Sequence, residues 1–100
     1  MLNDGSLGDL APGDAAIIER VGCARATAVR LMEMGLCRGT RVEVRRMAPL
    51  GDPMEVVVSG YSLSIRRNEA LGISVRSIVR GAEARARAED VAGAAAARAR

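Results

Sequence analysis

Residues 30–44 constrain the fold of this chain more than any other part, because they change from helical to strand periodicity within a few positions. Apolar residues first recur at the three- and four-residue spacing of one helical face, as in Ala28, Leu31 and Met32. From Val42 they alternate instead with charged residues, which is the period of a strand with one buried side. The pattern predicts a short helix packed across a small sheet.

A glycine separates the two patterns. Gly35 suits the left-handed position just past a helix end, where a side chain with a Cβ atom is strained. Leu36 is then placed to fold back onto Leu31, and Gly39-Thr40 turns the chain into the strand. We therefore expect the helix to run from about residue 24 or 25 to residue 34.

The remaining segments predict further strands joined by tight turns. Alternation and β-branched residues indicate strands at Ala15–Val21, Arg41–Met47, Met54–Ser59, Leu63–Ile65 and Ile73–Val75. Gly60-Tyr61 is predicted as a hairpin turn, and Asn68 as the cap of one helical turn. Five short strands with one helix inserted after the first are enough to curl into a small barrel, so the fold class is mainly β.

Composition divides the chain into a folded part and a tail. Residues 1–79 hold ten arginines against nine acidic residues, whereas residues 80–100 are rich in Ala and Arg and carry a net charge of +2. We expect a domain at 1–79 and a mobile or helical tail at 80–100. Tyr61 is the single aromatic residue, so no base-stacking platform exists and no nucleic acid is expected as a partner; binding through the arginine tail stays open as a separate hypothesis.

The two cysteines predict neither a disulfide nor a metal centre. A helix between Cys23 and Cys37 would separate them by roughly 15 Å or more, beyond the ~7 Å that a bridge spans. With no histidine in the chain, a metal site would need carboxylates or a second copy sharing these thiols, an alternative that stays open. Met32, Met34, Met47 and Met54 are predicted as inward-facing core residues. We expect no metal ligands and no cofactor.

Catalytic and membrane signals are both missing from the sequence. There is no histidine, no glycine-rich phosphate loop and no nucleophile with an evident base, so we expect no enzymatic activity and no catalytic residues. No apolar run approaches the ~20 residues that cross a bilayer, and the N-terminus lacks the features of a signal peptide. The expected location is cytoplasmic.

The ordered set of these motifs resembles the FeoA domain of bacterial ferrous iron transport. The resemblance covers about residues 7–79 and rests on Leu10–Asp14, Arg30–Leu36, Gly39-Thr40, Ala48–Pro53, Ser64–Ala70 and Ile73–Val75. Ala-Pro-Leu-Gly-Asp-Pro followed by Arg-Arg-x-Glu-Ala is its most specific part. The chain departs from the family pattern at Cys37, where proline is common, and in the tail from residue 80.

The resemblance implies an SH3-like barrel and an accessory role. Members of the family are cytoplasmic and assist FeoB, the membrane GTPase that carries ferrous iron, so the implied partner is a FeoB-like transporter and any membrane association would run through it. A similar domain forms the C-terminal part of some iron-dependent repressors, which implies metal binding or iron sensing as the alternative function. Self-association as a homo-oligomer is left open.

Two segments are the candidate partner contacts. Pro49, Leu50, Gly51, Asp52 and Pro53 form a stiff loop that could present Leu50 as an apolar anchor at little entropic cost. Arg66 and Arg67 could form bidentate pairs with acidic groups of a partner. The same loop also suits a simple connector, and the arginines also suit a solvated face.

Overall fold

The computed structural model describes residues 4–81, in which six antiparallel strands form one sheet. The strands are β1 (Gly5–Ser6), β2 (Ala15–Val21), β3 (Arg41–Met47), β4 (Met54–Val58), β5 (Tyr61–Ile65) and β6 (Ile73–Val79). The helices are α1 (Arg25–Glu33) and α2 (Arg67–Leu71), and short 3-10 turns cover Leu7–Asp9 and Pro49–Gly51. Across the sheet the order is β1-β6-β2-β3-β4-β5, so β1 and β5 are its two edges.

The five predicted strands all form, although β6 runs to Val79, beyond its predicted end at Val75. β2 and β3 have the predicted bounds, α1 ends within one residue of the predicted position, and the helix is inserted after the first long strand. The two-residue strand β1 was not predicted, because Gly5 and Ser6 carry no hydrophobic pattern. Its pairing with β6 is a long-range contact that only the folded sheet provides.

Two local predictions are wrong. The hairpin turn is Ser59-Gly60, both residues having positive φ, and Tyr61 already belongs to β5. A two-residue turn of this kind matches the twist of the flanking strands. Helix α2 is capped at Arg66 instead of Asn68, because the Glu69 carboxylate accepts a hydrogen bond from the Arg66 backbone N–H at 3.1 Å.

One apolar cluster fills the space enclosed by the sheet and α1. Its fully buried side chains lie on α1, on β2, β3, β4 and β6, and in the segments before β2 and after α1: Leu7, Ile18, Leu31, Leu36, Val42, Val44, Met54, Val56, Val58, Ile73 and Val75. Register shifts in the β2–β6 and β3–β4 pairs bend the sheet around this cluster. Aliphatic side chains and methionine thus form the whole core, as the near absence of aromatics requires.

Helix α1 ends in the predicted glycine cap. Gly35 has φ +103°, its N–H donates to the Met32 carbonyl at 3.0 Å, and the Leu36 N–H donates to the Leu31 carbonyl at 3.0 Å. This pair of bonds is the Schellman arrangement, and it buries Leu36 against the helix it follows. The Tyr61 hydroxyl donates to the carbonyl of Met34, which fixes the helix end to β5.

Replacing Gly35 by Ala should destabilise the protein by about 1–2 kcal/mol. A Cβ atom there would sit at positive φ and only 2.6 Å from the Tyr61 hydroxyl oxygen, so the bond to Met34 would be displaced. Gly39→Ala is the matched control, because Gly39 also has positive φ but nothing within 4 Å of the added Cβ. Chemical denaturation should show a larger loss for Gly35→Ala; equal losses would mean that the tyrosine contact contributes nothing.

The exposed side of α1 differs from the prediction. Arg30 on this side forms an ion pair with Glu69 of α2, 39 positions further along the chain. Met32 is 42% exposed and does not face inward, because the buried face of α1 is set by Ala28 and Leu31. Met54 is fully buried as predicted.

Asp14 is the single buried charged residue of the described part of the chain. Its carboxylate accepts hydrogen bonds from the backbone N–H of Ala11 at 2.9 Å and of Gly81 at 2.6 Å, and from the Arg80 guanidinium at 3.2 Å. Burial alone would raise the pKa of the Asp14 carboxyl, but these hydrogen bonds and the Arg80 charge together hold it below its ordinary value. The carboxylate therefore ties the turn before β2 to the chain that leaves β6.

The predictions for the tail fall mostly outside the described residues. β6 ends at Val79, and Arg80 and Gly81 contact Asp14; residues 82–100 are not described. Neither helix of residues 4–81 has the length and apolar character that a bilayer crossing requires.

Candidate partner-binding site

The loop between β3 and β4 is held in one conformation by its own backbone. The Ala48 N–H donates to the Pro53 carbonyl at 2.9 Å, and the Gly51 N–H donates to the Ala48 carbonyl at 2.8 Å. The peptide bond between Asp52 and Pro53 is cis. The two hydrogen bonds close the loop and leave residues 49–51 at its tip.

Leu50 occupies the tip and is fully exposed. Its relative exposure is 101%, the largest of any apolar residue in the described part of the chain, and its φ is +69°. A residue with a Cβ atom, other than Asn or Asp, rarely adopts this conformation, which costs about 1–2 kcal/mol. Leu50 therefore buries nothing in the fold and occupies a backbone position that favours glycine.

The loop is attached to the start of α2. The Asp52 carboxylate accepts a hydrogen bond from the Arg67 backbone N–H at 3.1 Å, and the Arg67 guanidinium donates to the Gly8 carbonyl at 3.3 Å. Asp52 thus supplies an acceptor for a free N–H in the first turn of α2. The two predicted segments, 49–53 and 66–67, lie together on one surface.

The two arginines of this surface have different surroundings. Arg67 is held by the Gly8 carbonyl, whereas the Arg66 side chain is exposed and has no hydrogen bond or ion pair within residues 4–81. The backbone N–H of Arg66 is occupied by Glu69, so Arg66 offers only its guanidinium. Of the pair, Arg66 is the one available to an incoming carboxylate.

A shallow groove of about 140 Å³ lies beside the loop. It is lined by Arg46, Met47, Ala48, Pro53, Glu55 and Ser64. Sequence reasoning missed this groove, because it depends on a register shift between Val44 and Arg46 that leaves two successive arginines on the exposed side of β3. The only signal was the pair Arg45-Arg46 in an otherwise alternating strand.

Glu55 on the groove wall pairs with two arginines of β3. The Arg46 Nε lies 2.6 Å from one oxygen of Glu55, and the Arg45 Nε lies 3.8 Å from the other. The hydrogen bond from Arg46, more than any other contact, holds the pKa of the Glu55 carboxyl below its ordinary value. Arg46, which lines the groove, and the neighbouring Arg45 thus share one carboxylate and leave a net positive charge here.

The described residues contain no arrangement for metal or thiol chemistry. Nowhere in 4–81 do three His, Cys, Asp or Glu side chains come together as a metal site would need. Cys23 and Cys37 are both free; Cys23 is half-buried, whereas Cys37 is exposed in the turn after α1. Burial, and then the nearby charge of Glu69, raise the pKa of the Cys23 thiol, whose Sγ donates to the Glu69 carbonyl at 3.3 Å.

Together the fold and this surface define a small β-barrel module that presents a rigid loop. The model of the FeoA domain family matches residues 5–77. The Fe(2+) transport protein A/Fe(2+) transporter FeoB fusion protein of Porphyromonas gingivalis is 34% identical over 85 residues, which are 85% of this chain and 10% of that protein. This chain thus spans about a tenth of that relative's length.

Solved structures agree with the family match. The FeoA protein from Chlorobium tepidum is 48% identical, with a TM-score of 0.68 over 71% of this chain and 68% of that one. FeoA of Stenotrophomonas maltophilia, an SH3 domain protein solved with zinc, is 31% identical with a TM-score of 0.67, covering 75% and 95%. A manganese-dependent transcriptional repressor, 16% identical with a TM-score of 0.67 over 74% of this chain and 41% of its own, shares the fold alone.

This chain belongs to the FeoA domain family. Its fold is the SH3-like barrel that the sequence predicted. The family associates it with ferrous iron transport.

Proposed function

We propose that this chain is a non-catalytic, cytoplasmic accessory module of ferrous iron uptake that binds a FeoB-type membrane GTPase and modulates its action. Support comes from the Porphyromonas gingivalis relative, in which an A-type segment is fused to the transporter. Fusion keeps two segments at a high effective concentration, which is useful when they contact each other. When the two proteins are separate chains, the same contact requires a surface with enough affinity to bind without the fusion.

Leu50 is the observation that supports this proposal most strongly. Full exposure and positive φ both make leucine a poor choice for the stability of the loop. Local strain of this kind clusters at functional sites. Docking of Leu50 into an apolar pocket of the transporter gives the residue a role that the isolated fold does not.

The surroundings of Leu50 suit a contact that is already organised before binding. The loop is closed by the Ala48–Pro53 hydrogen bond and attached to α2 through Asp52, so little conformational entropy is lost on docking. Arg66 adds a positive charge that has no ion-pair partner among residues 4–81, and this charge favours an acidic rim on the partner. Leu50 would supply affinity and Arg66 orientation.

A titration of the purified cytoplasmic part of the FeoB-type transporter from the same genome tests the proposal. Isothermal calorimetry should show saturable one-site binding with a Kd of about 10 µM, as expected of a small transient contact. The GTP hydrolysis rate of the transporter should change at least about twofold at saturation, while the chain alone hydrolyses no GTP. Absence of saturable binding at about 1 mM would rule the proposal out.

A further inference from the structure

The edge strand β5 has backbone groups that no residue among 4–81 uses. β4 and β5 pair from Val58↔Tyr61 to Met54↔Ile65 without a register shift. Because the two-residue turn closes on a hydrogen-bonded pair, Tyr61, Leu63 and Ile65 direct their N–H and C=O groups toward β4. The backbone groups of Ser62 and Ser64 therefore point away from the sheet, and both residues are exposed.

This edge lacks the features that normally prevent strands from pairing. Natural edge strands are protected by charged side chains, proline, bulges or very short length. β5 has five residues, Tyr-Ser-Leu-Ser-Ile, with no charge and no proline, and its pairing with β4 shows no bulge. The opposite edge, β1, has two residues.

We infer that β5 pairs with β5 of a second copy of this chain, in antiparallel orientation about a two-fold axis at Leu63. In this register Ser62 of one copy lies opposite Ser64 of the other, and each such pair exchanges two N–H···O=C bonds. Leu63 lies opposite Leu63 of the second copy, and Tyr61 lies opposite Ile65. A continuous sheet of two copies results.

The register favours a second copy over an unrelated strand because it is self-complementary. Every opposed pair is uncharged, so the like-charge repulsion that usually limits self-pairing is missing. On the outer surface the Arg45 guanidinium donates to the Ser62 hydroxyl at 3.3 Å, and Glu55 lies beside Ser64 in the adjacent strand. The two-fold axis brings Arg45 of one copy toward Glu55 of the other, which adds opposite charges across the junction.

Sedimentation equilibrium of the full chain tests this pairing. The average mass should rise from 10.5 kDa toward twice that value between about 10 µM and about 1 mM, a range that suits a small interface. Amide exchange followed by NMR should slow at Ser62 and Ser64 over the same concentrations. A constant mass of one chain at the highest concentration would overturn the inference.

Charge variants identify the strand involved. S62E/S64E and S62R/S64R should each stay monomeric, because like charges then lie directly opposite, whereas their equimolar mixture should form a mixed dimer. Ser74→Glu is the control, since Ser74 is an exposed serine on β6 whose strand is paired on both sides, and it should dimerise like the unchanged chain.

Three other outcomes would contradict the pairing. A dimer that survives in S62E/S64E would place the interface elsewhere. Protection of the Ser62 and Ser64 amides that does not depend on concentration would mean that the edge is covered within one chain. Protection that appears only after the transporter's cytoplasmic part is added would assign the edge to a foreign strand.

Discussion

Replacing Leu50 by Asn should weaken binding to the transporter's cytoplasmic part about 10- to 100-fold, because burying a leucine contributes about 1.5–3 kcal/mol. The same change should leave the chain at least as stable, since Asn tolerates positive φ better than leucine and the Leu50 side chain is fully exposed. Calorimetric titration and thermal unfolding of one sample measure both effects. A weaker affinity for the transporter together with an equal or higher thermal stability would identify Leu50 as a residue kept for binding.

Val29→Asn is the matched control for this prediction. Val29 is 43% exposed and lies on α1, so its replacement removes exposed apolar surface from an element other than the loop. We expect its affinity for the transporter to match that of the unchanged chain. The assignment of the loop fails if Leu50→Asn binds normally while Val29→Asn does not.

Replacing Asp14 by Ala should lower the free energy of unfolding by about 2–4 kcal/mol, the largest stability effect we expect of an exchange outside the apolar core. The part-buried N–H groups of Ala11 and Gly81 would lose a charged acceptor, and each such bond contributes about 1.5–3 kcal/mol. Asp9→Ala is the control, because Asp9 is exposed. Denaturant titration at neutral pH should show a small change for Asp9→Ala.

The effect of Asp14 should depend on pH in one direction. Its folded-state pKa lies below the ordinary value of 3.8, so the unfolded chain takes up the proton first as pH falls. The ionised Asp14 carboxylate therefore contributes fully to the free energy of unfolding above the unfolded-state pKa. This contribution is lost as pH drops through the folded-state pKa. The gap in stability between the unchanged chain and Asp14→Ala should narrow below pH 3.8; a gap that widens there would contradict this role.

The sequence predicted the fold well where structure follows from local periodicity. β2 and β3 follow from side-chain alternation, and the cap of α1 follows from the special conformation of Gly35. All three features depend on residues that are close together in the sequence. Contacts whose partners are distant in sequence were not predicted. The pairing of β1 with β6, the ion pair of Arg30 with Glu69 and the burial of Asp14 all require the folded chain.

The candidate site could be predicted only in part for the same reason. Two prolines around Gly-Asp indicated a stiff exposed loop, and Leu50 is indeed exposed. The positive φ of Leu50 and the bond from Arg67 to Asp52 could not be read from composition, although they supply the strongest argument for function. The role of residues 49–53, Arg66 and Arg67 as partner contacts stays a prediction.

The most direct test of the proposed role is a methyl NMR map of this chain during titration with the transporter's cytoplasmic part. We predict that the Leu50 methyl signals shift and broaden first, together with the side-chain signals of Arg66, while the Val29 methyl signals on α1 do not change. Shifts confined to α1, with the Leu50 methyl signals unaltered at saturation, would contradict docking through the loop.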